Sequence, residues 1–297
     1  MRFAERSLSL AVIVVLALSG CAAGEAGTDG PSIPPRTPAP DATPIASVDL
    51  GEAPDPLGLV NLWRVSGAEG EGLDTWLRID AGDFQLWREC GITSGAWQSN
   101  GNLFEASTWA ADTACVPSMT VPWLESVASF RTSDAGWELT DMAGDVVATL
   151  KIDGAPESIP TAADFLTQPP VITDATREAL RQAVPLADGF VPATPDDLFG
   201  RWVPAGYEGP QEPNEPYVRL SQNGTWDGSD GCNGSGGSWA AGEDGAFLAT
   251  SGPTTLIGCD GYSVGYSMSR TTQVAIDGGG LILFDVDGIE LMRLERT

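Results

Sequence analysis

The chain has 297 residues, 41 acidic against 15 basic side chains, no histidine and a net charge of −26. Roughly 100–200 residues suffice for one core, so there is room for two domains. The missing histidine removes His-based triads, Cys–His pairs and nearly all zinc sites, and the negative field repels nucleic acid and anionic head groups, so no metal, cofactor or nucleic-acid partner is expected.

At the N-terminus, Arg2 and Arg6 precede an apolar run from Leu8 to Leu18. A membrane-spanning helix needs about 20 apolar residues, so residues 1–20 read as an export signal instead. The sequence Leu18-Ser19-Gly20-Cys21 resembles a bacterial lipobox. That resemblance implies cleavage before Cys21 and lipidation of its thiol, including palmitate-type acyl chains, with the protein held to the cell membrane on its extracytoplasmic face. Residues 21–56 carry proline, alanine, glycine and acid but few large apolar groups, and read as a disordered tether.

The next segment, 57–153, alternates apolar and polar residues in "TWLRID" and "FQLWR", the period of half-buried antiparallel strands. Asn100-Gly101 marks a hairpin turn. One helix is expected at 121–130, with Trp123, Val127 and Phe130 on one face. Segment 154–195 reads as a proline-laced linker holding one short helix between Thr173 and Val184, capped at its start and stopped by Pro185. From 196 to 297 the strand pattern returns in "YVRLS" and "LILFDVDGIELMRLER", with turns at Asn223-Gly224 and Asp287-Gly288. Residues 261–270, "GYSVGYSMSR", read as strand or loop.

The two strand-rich segments are copies of one unit. With Cys90 laid on Cys232, Trp97 falls on Trp239, Cys115 stands near Cys259, and Trp137–Gly144 lies on Leu281–Gly288 without a gap. The fold class expected is therefore mainly β, with two tandem antiparallel domains. Four cysteines besides Cys21 in an exported chain argue for disulfides. The duplication pairs Cys90 with Cys115 and Cys232 with Cys259, one bridge in each copy.

The stretch "DGSDGCNGSGGSW" at 227–239 invites a ligand-cradling reading. It lacks the lysine and following helix of a phosphate loop, and its acids are not spaced as calcium ligands are. A turn tied down by Cys232, with glycines admitting a neighbouring strand, fits better.

Leu198, Gly200 and Trp202, then Gly231-Cys232-Asn233, Thr255 and Cys259, and Asp285 with Gly288 together resemble the META domain, also called HslJ-like. The first copy resembles it weakly, with Asn61 and Glu89-Cys90-Gly91 replacing two of its motifs. The resemblance implies compact β domains on exported bacterial proteins, often lipoproteins, associated with envelope stress, and brings no catalytic residues. A non-catalytic binding or accessory role is therefore expected, in a monomer whose partner is an envelope protein, peptide or glycan. The alternative is a carboxylate-based glycan hydrolase, whose sign would be two buried acids facing one another in a pocket, with a raised pKa. Trp63, Trp97, Trp202 and Trp239 recur between copies and read as core, whereas Trp87, Trp109, Trp123 and Trp226 are candidates for exposed contact.

Overall fold

In the computed structural model, residues 54–297 are described apart from 119, 159–161, 211–214, 243, 253, 256–257 and 259–260. The segments expected to be an export signal and most of a tether fall outside the described residues, as do Cys21 and Cys259. No helix among the described residues is long and apolar enough to cross a membrane.

The protein is mainly β. Strands β1 (Asn61–Ser66), β2 (Trp76–Ile79), β3 (Asp83–Arg88), β4 (Gly91–Asn100), β5 (Leu103–Ala111), β6 (Ser129–Ser133), β7 (Gly136–Thr140) and β8 (Val146–Lys151) run in sequential antiparallel order. Pairing of β1 with β8 closes them into a barrel. Alternation along each strand sends Trp63, Phe84, Trp97, Phe104, Phe130 and Leu139 inward, where they form the core.

Among the described residues the second sheet has nine strands, β9 (Val191–Pro192) ahead of the second copy and then β10 (Gly200–Pro204), β11 (Tyr217–Leu220), β12 (Thr225–Ser229), β13 (Gly234–Ala241), β14 (Phe247–Ala249), β15 (Gln273–Asp277), β16 (Gly280–Phe284) and β17 (Glu290–Arg296) within it. Their order is β14-β13-β12-β11-β10-β17-β16-β15-β9, so β10 to β17 repeat the connections of β1 to β8. Two backbone bonds join β5 to β6 in the first copy, Phe104 N–H to the Ala128 carbonyl at 3.0 Å and Phe130 N–H to the Asn102 carbonyl at 2.9 Å. Their counterparts, Phe247 N–H to Thr272 and Val274 N–H to Gly245 at 2.9 and 2.8 Å, draw β14 to β15 and curl the second sheet the same way. The short β9, in the segment read as linker, covers part of the β15 edge.

The likeness extends to side chains. Trp63 Nε1 donates to the Leu59 carbonyl at 2.7 Å and Trp202 Nε1 to Leu198 at 2.8 Å, each reaching back to the Pro-x-x-Leu turn that precedes its strand. Trp97 stacks on Phe104, and Trp239 on Phe247. In the last hairpin, Asp141 Oδ1 accepts from the N–H of Ala143 and Asp145, and Asp285 Oδ1 from Asp287 and Ile289, turning the chain before Gly144 and Gly288 at φ of 83° and 75°.

The helices differ from expectation in three places. The first, α1 (Pro122–Glu125), is one turn long; Trp123 and Leu124 are buried on it, but Phe130 belongs to β6. The linker helix α2 runs only over Asp174–Ala179, capped reciprocally by Thr173 and Thr176. After the short α3 (Pro195–Leu198), residues 264–270 form a helix, α4 (Val264–Arg270), not strand or loop; Val264, Ser267 and Met268 are buried on one side of it. Serine and glycine masked that period in the sequence. The linker is not free chain: Leu166 packs over Trp76 and Trp87, and Phe190 over Phe284.

Candidate functional site

Cys90 and Cys115 are bonded to one another within the first copy, tying the β3–β4 turn to the segment after β5. Cys232 is also in a disulfide. Its expected partner Cys259 lies outside the described residues. The turn holding Cys232 is built by Asp230, whose Oδ1 accepts from the N–H of Cys232 and Asn233 while Oδ2 accepts from the Asn233 amide. Burial acts against the charge, yet these donors outweigh it and hold the Asp230 carboxyl below its usual range.

Further along the glycine stretch, a Cβ on Gly237 would run into the Thr250 carbonyl, and one on its counterpart Gly95 into the Ser107 carbonyl and the Phe84 ring. Gly95 lets two strands close over the Phe84 ring, and Gly237 lets β13 approach the backbone at Thr250. Within the stretch, Gly237 and Asp230 thus have structural roles.

Among the tryptophans, Trp63, Trp97, Trp202 and Trp239 are core, as their recurrence implied. Trp87, Trp123 and Trp226 are buried as well, which corrects their reading as exposed contacts; the linker covers Trp87, and Trp123 Nε1 donates to the buried carboxylate of Glu71. Only Trp109 of the four candidates is exposed, at 62%. It occupies the bulge where Ser94 and Gly95 pair with Ala110 and Thr108, which turns it outward.

The most unusual chemistry lies where the copies meet. The outer faces of β4 and β5 rest on those of β13 and β14, which are the equivalent strands. Leu103 and Ala128 pack there against Ala240 and Leu248. Gln98 Nε2 donates to the Ala249 carbonyl at 2.7 Å, and Asn100 Nδ2 to the Thr272 carbonyl. Glu105 stands in the middle of this contact and is 2% exposed. Its neighbours Phe104 and Ala106 point into the first barrel's core, so alternation places Glu105 on the outside, under the second barrel.

Ser238 Oγ–H donates to Glu105 Oε2 at 2.5 Å, and Ser238 Oγ also lies 2.9 Å from Thr250 Oγ1. Burial raises the Glu105 pKa to about 8, the Ser238 bond pulling the other way. On one side of Glu105 a groove of about 590 Å³ is walled by both copies, with Glu125, Asp141 and Asp196 among its acids and Phe199 and Trp239 among its apolar surfaces. On the other side an opening of about 230 Å³ is lined by Trp97, Gln98, Thr250 and Ser251. Glu125 is half-buried and accepts from Thr108 Oγ1 at 2.9 Å. Nothing in composition or periodicity pointed to Glu105; the one signal was an acid at a strand position whose copy in the repeat is Leu248.

No group of acids and cysteines with metal-holding geometry occurs among the described residues. No family model, no curated protein and no solved structure matches this chain.

Proposed function

We propose that this chain is an exported bacterial lipoprotein, anchored through Cys21, whose two β domains serve as a non-catalytic binding or accessory module of the cell envelope. The observation that carries this reading is the Cys90–Cys115 bond, since disulfides persist in oxidising compartments outside the cytosol. It joins the apolar run ending at Cys21 and the acid-rich tether, which suit a soluble body held off a lipid surface. The META-domain resemblance supports the same setting and a link to envelope stress.

The binding surface we assign is the groove beside Glu105, because each copy supplies one wall and neither could form it alone. It suits an envelope protein, a peptide or a glycan. Labelled palmitate should enter the expressed protein, and Cys21→Ala should abolish labelling and release the protein from membranes. Retention of Cys21→Ala on membranes through alkaline washing would overturn the anchor. Crosslinking of the intact chain on living cells, with a photoreactive residue at Met142 in the groove, should capture a partner, and an empty result there removes the groove assignment while leaving the anchor standing.

One observation favours a second reading, a carboxylate-based glycan hydrolase. Glu105 is buried with its proton retained at neutral pH, as a general acid is, and Glu125 opens on the same groove. Against it, Glu105 is covered by Ser238 and Glu125 is only half-buried. Hydrolysis of envelope glycans by the wild type but not by Glu105→Gln would favour that reading over the first.

A further inference from the structure

The burial of Glu105 depends on the two barrels staying together. In strand β5 it faces outward between the inward-facing Phe104 and Ala106, so the first barrel alone would leave it in water. The second barrel covers it with Ser238, which donates to it, and with Thr250 beside Ser238. At the equivalent place the second barrel itself carries leucine, which fits an apolar contact without this cost.

The groups facing Glu105 offer no compensating charge. From β4 come Gln98 and Asn100, and from β13 and the chain after β14 come Ser238, Thr250 and Ser251. The helix α1 contributes Glu125, the β7–β8 turn Asp141 and α3 Asp196. All the charged groups lining the groove among its described residues are acids, and no lysine or arginine lines either opening. An ionised Glu105 would be a desolvated anion among anions.

We propose that Glu105 is a proton-held latch between the two barrels: in its neutral form it lets the inter-barrel contact close over it, and loss of the proton loosens that contact. The closed form keeps the proton up to about pH 8, whereas a separated form with Glu105 in water would release it in the ordinary carboxylate range. The contact is therefore tightest in acid. Its opening constant rises about tenfold per pH unit between those two limits and levels off above the upper one. A binding module held to an envelope would in this way open its central groove as the surroundings turn from acid to neutral.

The test places a reporter thiol under the latch. Ala240, 1% exposed in the patch shared by the barrels, becomes Ala240→Cys in the full chain, and mass spectrometry follows its alkylation from pH 5 to 8. Rates are divided by those of Leu73→Cys, whose site is 88% exposed, to remove the titration of the thiol itself. The normalised rate should rise steeply with pH in the parent and stay flat when Glu105→Gln is added. Glu105→Leu, which copies the second barrel, should be equally flat and guards against a Gln variant that does not fold. A flat profile in the parent, or the same rise with and without Glu105, would overturn the latch.

Discussion

Glu105 holds, in the first barrel, the position that Leu248 holds in the second: Glu105 pairs with Gln98 and Leu248 with Ala240, one residue beyond the equivalent Trp97 and Trp239. The acid therefore replaces an apolar side chain at a contact otherwise suited to one. Glu105→Leu should raise stability at neutral pH. Because the folded pKa lies above the unfolded one, the wild type is most stable below the ordinary carboxylate range and loses stability as pH rises to about 8. The loss is at most about 5 kcal/mol. Thermal melts from pH 5 to 8 should show a falling Tm in the wild type and a flatter one in Glu105→Leu.

The glycine stretch yields a paired test. Gly237→Ala drives a methyl into the Thr250 carbonyl and should cost about 1–3 kcal/mol by overpacking. Gly234→Ala, three residues away, meets nothing within 4 Å and should change stability by less than about 0.5 kcal/mol. Denaturant midpoints of the two variants measure the contrast, and equal effects would contradict the strand-contact role of Gly237.

The disulfide within the first barrel closes a separation of 25 residues. On the chain-entropy account it contributes about 3.5 kcal/mol, so replacing Cys90 and Cys115 together by alanine should lower stability by that order. Urea unfolding of the unreduced protein and of the double variant gives the difference.

Trp109 and Trp226 separate surface from core. Trp226 is 2% exposed and its Nε1 donates to the Thr250 carbonyl, so Trp226→Ala should cost about 3–5 kcal/mol. Trp109→Ala should leave the melting temperature within a degree or so of the wild type, since a single exposed side chain contributes within about 0.5 kcal/mol.

The repeat was legible because its most constrained side chains recur: a tryptophan bonded to the carbonyl four residues earlier, an aspartate that caps its own turn, and a glycine at positive φ after it. Each is demanded by backbone geometry, so each leaves a mark in the chain. The helix at 264–270 left none, because Gly265, Ser267 and Ser269 dilute its apolar period and its partners are distant strands. Trp87 and Trp123 misled because what covers them, Leu166 of the linker and Glu71 of the β1–β2 loop, is far from them in sequence. The inter-barrel site was illegible for a related reason: alternation places Glu105 on an outer face, and only the docking of the second copy turns that face inward.

The duplication underlies the fold and the groove alike, and it pairs the cysteines within each copy, as Cys90 and Cys115 are in the first. Peptide mapping of the unreduced mature protein by mass spectrometry tests it most directly. Fragments joining Cys90 to Cys115 and Cys232 to Cys259 are the expected result. Fragments joining a cysteine of the first copy to one of the second, or free thiols at these four positions, would contradict it.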